Sequence, residues 1–117
     1  MDKVESIYVA GKLSGNVEEN KKVMIKYGFE LLKKGYIIYL PYWTFDVHAK
    51  DPTLKSHDFW VKTFDFYWLK RCDAIFMLPN WRESEGAKLE HEEAKIRNKT
   101  IFYDLKDIPQ KEVKDDH

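Results

Sequence analysis

Cysteine is all but missing from this chain. Cys72 is the one thiol among 117 residues, so no internal disulfide can form, and no Cys and His spacing fits zinc. That excludes a disulfide-stapled secreted scaffold and a structural metal, and it implies a reducing interior in which Cys72 is a buried, inert thiol. No cofactor is expected. Long apolar runs are missing as well: none approaches the roughly 20 residues that cross a bilayer, and Met1-Asp2-Lys3-Val4 lacks a signal-like apolar segment. The expected location is cytoplasmic, with no membrane partner. Nor does charge of one sign dominate. Twenty Lys and Arg cancel twenty Asp and Glu, and no basic cluster is long enough to form a stripe, which argues against a nucleic acid polymer as partner.

Aromatic side chains and a strand–helix alternation are what the chain does have. Phe, Trp and Tyr make up 15% of the residues and cluster between Tyr36 and Trp81, more than a core of this size needs, so some are expected to line a pocket for a flat ligand. Residues 6–10 read as a strand ending at Gly11, followed by the turn Lys12-Leu13-Ser14-Gly15-Asn16. A helix is expected over 17–34, with Val23, Tyr27 and Leu31 on one face and Gly35 as its stop. Residues 36–40 read as an apolar strand closed by Pro41, and an aromatic-rich loop runs to about Ser56. A helix over 57–71 carries Trp60, Val61, Phe64, Trp68 and Leu69 at helical spacing. A strand over 74–78, a short loop, a helix bearing Glu90 and a strand over 100–103 follow. Residues 1–105 read as a single domain and 106–117 as a frayed tail.

Strands that are continuous apolar runs alternating with helices imply a parallel sheet covered on both faces. The expected class is α/β, a small Rossmann-like or flavodoxin-like sandwich with four or five mainly parallel strands. Ligands of such sheets bind beyond the carboxyl ends of the strands, where the strand order reverses. Gly11 to Asn16, the Pro41 loop and Asn80 to Gly86 fall at that edge.

At 100° per residue, Ala87, Leu89, Ala94 and Ile96 bracket one half of the last long helix, and Glu90 falls inside that arc. A carboxylate among small and aliphatic side chains loses solvation, which raises its pKa and marks it as a functional candidate. The position also fits a half-exposed salt-bridge row with Glu93 and Arg97, and helix geometry alone leaves both readings open. Asp65, with Val61 and Leu69 four residues to either side, sits on a partly apolar face. Beside the first acid it suits acid–base work; alone it is a border residue. Free N–H groups in the Gly11–Gly15 turn and at the Ser84-x-Gly86 helix start suit an anion such as a phosphate, although Ser84 by itself also reads as a helix N-cap. His48, His57 and His91 have no metal-ligand spacing and read as solvated.

Three segments then carry a resemblance. Ile7-Tyr8-Val9-Ala10-Gly11, Asp65-x-x-x-Leu69-x-x-Cys72-Asp73-Ala74 and Ser84-x-Gly86-x-x-x-Glu90-x-x-x-Ala94 resemble the nucleoside 2-deoxyribosyltransferase superfamily, especially its small phage and bacterial members of uncharacterised function. The likeness runs over about residues 5–104 in order and spacing, and the last motif is its most specific part. It implies that Glu90 is a nucleophile attacking the anomeric carbon of a nucleoside or nucleotide, that Asp65 is the acid assisting the departing base, and that Tyr8 positions the nucleophile. Where transferases of the superfamily carry an acid six positions before the nucleophile, this chain has Ser84, whose hydroxyl can donate to a phosphate that a carboxylate would repel. In that respect it resembles the nucleoside 5′-monophosphate N-glycosidases, whose glycine turn also contacts phosphate.

The expected substrate-binding set is therefore Gly11, Lys12, Gly15 and Asn16 from the first turn, Ser84 and Gly86 from the helix start, and Trp43 and Asp46 from the aromatic loop, where a base could stack. Trp43 and Phe45 equally fit a cover for the sheet edge or a subunit contact. The neighbouring Glu92 and Glu93 are expected to raise the Glu90 pKa by like charge. The resemblance also implies a homodimer or higher homo-oligomer, because family members complete their sites across subunits. Base exchange between deoxynucleosides and non-catalytic nucleotide binding are the competing functions.

Overall fold

In the computed structural model, which describes residues 3–111, four parallel strands form one sheet: β1 (Ser6–Ala10), β2 (Ile37–Tyr39), β3 (Ala74–Met77) and β4 (Thr100–Phe102), in the order β2-β1-β3-β4. Four helices flank it: α1 (Val17–Lys33), α2 (Tyr42–Lys50), α3 over 57–71, and α4 (Glu85–Ile96). The expected α/β, Rossmann-like architecture is therefore the observed one, with four strands. The chain leaves β1 toward β2 on one side and later returns to β3 on the other, so the strand order reverses between β1 and β3.

The alternation along β1 divides the core. Ile7 and Val9 point to one face, where Met24 and Leu31 of α1 meet Phe76 and Leu78. Tyr8 and Ala10 point to the other, against Leu69 of α3 and Ala87 and Ala94 of α4. All four of these β1 residues are fully buried, as a central strand requires. Helix α1 has Glu18 and Glu19 in its first turn and Lys33 in its last, matching the helix dipole, and Gly35, at φ +98°, permits the sharp exit toward β2.

Two expectations about organisation need correcting. The aromatic segment after Pro41 is not a loop: Tyr42–Lys50 is helix α2. Its aromatic and β-branched residues are poor helix formers, but Tyr42 and Phe45 pack against the α1-side core, and that burial overrides propensity. Residues 106–111 are not frayed either. Leu105–Asp107 forms a short 3-10 turn, Ile108 is buried in the α1-side core, and the Lys111 N–H donates to the Lys34 carbonyl at 2.8 Å. Residues 112–117 of the expected tail lie outside the described residues.

Helix α3 is irregular in its middle. Trp60–Asp65 is wound as a π-helix between the α-helical turns His57–Phe59 and Phe66–Arg71. Such wide turns inside helices recur at functional sites, and this one ends on Asp65. Cys72 closes the helix as a buried thiol whose pKa burial pushes up to about 11. Among the described residues, no helix is long and apolar enough to cross a membrane.

Candidate functional site

At the reversal point the carboxyl ends of the strands open into a cleft with an empty volume, mouth included, of about 570 Å³. Its floor is polar. Glu90 reaches it from α4 and Asp65 from α3, and each is nine-tenths or more buried, at 4% and 7% exposed. Beneath them, the Tyr8 hydroxyl of β1 donates to Glu90 Oε2 at 2.5 Å. Thr44 of α2 completes the floor, with its Oγ1 2.9 Å from Asp65 Oδ1 and 2.7 Å from the Pro41 carbonyl.

The electrostatics follow from burial. Loss of water pushes the Glu90 carboxyl well above the ordinary range, and the Asp65 charge adds to it, while the Tyr8 hydrogen bond pulls the other way. Asp65 is raised to about 7, again mainly by burial, with hydrogen bonds to Thr44 and Glu90 opposing. Each carboxyl feels the other, so the two titrate as a pair, both shifted toward the protonated form. Tyr8 stays a neutral phenol, because burial and both acids raise its pKa. Glu92 and Glu93 are not the cause at Glu90: Glu93 is engaged by Arg97 at 2.5 Å, and Glu92 pairs with Lys95 at 3.5 Å.

The rim is built from backbone. Ser84 caps α4, its Oγ accepting from the Ala87 N–H at 3.1 Å. Gly86 lies on the same helix start and Gly11 at the end of β1, and all three line the cleft. Gly11 is needed for room: a Cβ there would sit 2.8 Å from Leu78 Cβ and closer still to the end of that side chain.

Residues 5–103 match the family described as a domain of unknown function (DUF4406). The chain belongs to that family. The match spans every residue of the cleft, from Gly11 to Glu90. No curated protein matches the chain.

Within this DUF4406 domain, Tyr8, Asp65 and Glu90 meet at the cleft floor, and Gly11, Ser84 and Gly86 stand at its rim. The other candidates stand away from it. Lys12 turns to Glu83 at 3.6 Å, and its backbone N–H donates to Asn80 Oδ1, tying the turn after β1 to the turn after β3. Gly15, at φ +86°, and Asn16 are exposed in that turn. Asp46 pairs with Lys21 at 3.0 Å, and Trp43 packs edge-on against Phe64. Both point away because Tyr42–Lys50 is helical, which sends Trp43 and Asp46 off the face that bears Thr44, Phe45 and His48. On α4, Ala87, Glu90 and Ala94 are buried, which decides for the inward reading of Glu90 over the salt-bridge row, whereas Ile96 is 73% exposed.

The DUF4406 cleft also has members that sequence reasoning overlooked. Thr44, His48, His57, Trp60 and Val61 line it. His48 is therefore not simply solvated: it is half-buried, and His48 Nδ1 and Trp60 Nε1 are buried without a hydrogen-bond partner among the described residues, whereas His57, its ring 6.3 Å from that of His48, is exposed as expected. His91 does stay outside, against Tyr103 and Trp81. One signal was available for Thr44, a threonine three residues after a proline, where its hydroxyl can bond back to the proline carbonyl in a first helical turn. No group of three or more His, Cys, Asp or Glu side chains among the described residues could hold a metal.

Proposed function

We propose that this protein is an N-glycosidase that hydrolyses the N-glycosidic bond of a (deoxy)nucleoside 5′-monophosphate. The observation that carries the reading is the pair of buried acids at the foot of an open cleft, both shifted toward the protonated form by burial, with Glu90 held by a neutral phenol. Two carboxyls of unequal protonation are what glycosidic bond cleavage needs: one charged to attack and one protonated to assist departure.

In this reading Glu90 is the nucleophile. Its carboxylate oxygen forms a bond to the anomeric carbon as the bond to the base nitrogen breaks, and the electron pair leaves with the base, which takes the Asp65 proton. Water then bonds to the same carbon, Asp65 recovers a proton from it, and Glu90 leaves as carboxylate. The products are free base and sugar phosphate. Tyr8 steadies the Glu90 charge. The phosphate has a counterpart in the first turn of α4, where a helix presents N–H groups and the positive end of its dipole, beside Ser84 and the Gly11 turn. Phe45 and Trp60 offer apolar walls for the base.

The resemblance to the nucleoside 2-deoxyribosyltransferase superfamily agrees with these roles, and Ser84 in place of an acid favours a phosphorylated substrate. A cytoplasmic site of action fits the free thiol. A homo-oligomer belongs to the same reading, and the exposed Ile25, Phe29 and Leu32 on one stripe of α1 are surface that two copies would bury. The test is incubation with each ribo- and deoxyribonucleoside 5′-monophosphate, following free base by chromatography, with Glu90→Ala as control. Release by the wild type alone supports hydrolysis. Release that depends on an added acceptor base makes it a transferase, and binding without release makes it a nucleotide-binding protein.

A further inference from the structure

Two acceptors compete for the one hydrogen of Thr44, and a carboxyl that brings its own hydrogen resolves the competition. Thr44 is 1% exposed, with Oγ1 2.7 Å from the Pro41 carbonyl oxygen and 2.9 Å from Asp65 Oδ1. Its hydroxyl has one hydrogen to give. The Pro41 carbonyl can only accept, and its backbone partner, the Phe45 N–H, is long at 3.4 Å. A threonine hydroxyl bonding the carbonyl three residues back is the ordinary local arrangement in a helix. With that hydrogen on the Pro41 carbonyl, Thr44 Oγ1 and Asp65 Oδ1 face each other as two acceptors, and only a hydrogen on Asp65 Oδ1 joins them.

We propose that Thr44 is a positioning residue that holds Asp65 in its protonated form, through the chain Asp65 Oδ1–H to Thr44 Oγ1–H to the Pro41 carbonyl. Across the floor, Tyr8 donates to Glu90. One carboxyl therefore meets an acceptor and the other a donor, so the proton resides on Asp65 and the charge on Glu90. Glu90 of α4 faces Asp65; between the two, the Asp65 charge raises Glu90 and the hydrogen bond with Glu90 lowers Asp65, so the assignment rests on the donor and acceptor geometry. Tyr8 from β1 and Tyr39 from β2 are held neutral by burial, and His48 of α2 and His57 of α3 stand on the cleft wall. The catalytic purpose of this arrangement rests on the glycosidase reading; the geometry does not.

The opposite arrangement, Thr44 donating to an ionised Asp65 with the proton on Glu90, is the one in which the Thr44 hydrogen bond lowers the Asp65 pKa, and it predicts the opposite response to one substitution. Thr44→Val keeps the shape and removes the hydroxyl. An accepting Thr44 stabilises the acid, so its loss lowers the Asp65 midpoint; a donating Thr44 stabilises the carboxylate, so its loss raises it. The measurement is a carboxyl 13C NMR titration of Asp65 in a Glu90→Gln background, where one carboxyl of the pair titrates, comparing Thr44, Thr44→Ser and Thr44→Val. The expected result is a midpoint lowered by about one pH unit in Thr44→Val, with Thr44→Ser at the parent value. A raised or unchanged midpoint overturns the proposal, and Thr44→Ala reports the same sign if the valine variant does not fold. Base release by the wild type and not by Glu90→Ala is read separately, so failure of the glycosidase reading and failure of the Thr44 assignment are told apart.

Discussion

Tyr8 and Glu90, 82 residues apart in the chain, meet at 2.5 Å between the central strand and the last helix. The contact is fully buried, so its donor has no water to replace it. Tyr8 also stacks on Tyr39, with ring centroids 5.5 Å apart, and that fixes where its hydroxyl points. A phenol held neutral and aimed at a carboxyl favours charge on that carboxyl.

Removing only that donor isolates its role. Tyr8→Phe keeps the ring and its packing but leaves the buried Glu90 charge without its hydrogen bond, an effect of about 1.5–3 kcal/mol. Base release should fall by roughly 10- to 100-fold, and the acid limb of the pH–rate profile should move to higher pH, because Glu90 becomes harder to ionise. A near-normal rate with an unmoved limb would mean that the Tyr8 contact only supports the fold.

Stability should respond to pH in the direction opposite to that of an ordinary salt-bridged acid. The folded-state pKa of Asp65 is about 7 against an ordinary 3.8, and that of Glu90 is also raised. A raised folded pKa means the native state holds its proton while the unfolded chain has released it. The pair's contribution is therefore fully present below the unfolded values and is lost as pH rises toward and through 7. Asp73, lowered chiefly by the Glu5 N–H, works the other way and loses its contribution under strong acid. Urea unfolding should give a higher midpoint near pH 5.5 than near pH 8, and Asp65→Asn should flatten that difference. A midpoint that climbs steadily from pH 5.5 to 8 would rule out a buried protonated pair.

Gly11 offers a purely steric test. The side chain of Leu78 lies against its Cα and leaves no space for a methyl group, and Leu78 is fully buried, with no exposed side to retreat to. Gly11→Ala should cost about 1–3 kcal/mol, seen as a lower melting temperature, and should distort the rim where β1 opens into the cleft. An unchanged melting temperature would show that Leu78 can shift freely.

Much of this could be read in the sequence, and the reasons are physical. The strands were legible because a buried parallel sheet demands uninterrupted apolar runs, as in Ile75-Phe76-Met77. Glu90 was legible in part: 100° per residue places it in the arc of Ala87 and Ala94, both buried in the structure, but the same geometry fits a salt-bridge row with Glu93 and Arg97. Helix α2 was not legible: Tyr42, Trp43, Thr44, Phe45 and Val47 are weak helix formers, held helical by contacts that no local pattern encodes. Misreading it misplaced Trp43 and Asp46 and hid Thr44 and His48, because face assignments depend on the period assumed. The pairing of Asp65 with Glu90 is a tertiary contact between two helices that only the sheet order brings together.

Ser84 carries two roles that one pair of substitutions can separate. Its Oγ caps α4 by accepting from the Ala87 N–H, and on the glycosidase reading it also donates to the substrate phosphate. Ser84→Ala removes both and should destabilise the protein by about 1 kcal/mol. Aspartate is as good an N-cap as serine and suits the helix dipole, so Ser84→Asp should recover the melting temperature. It should nevertheless bind a 5′-monophosphate far more weakly than the wild type, by an order of magnitude or more in KM, because a carboxylate repels the phosphate, and it should lose little toward the unphosphorylated nucleoside. Should Ser84→Asp recover stability and phosphate affinity together, Ser84 is a cap alone, and the case for a phosphorylated substrate loses its main support.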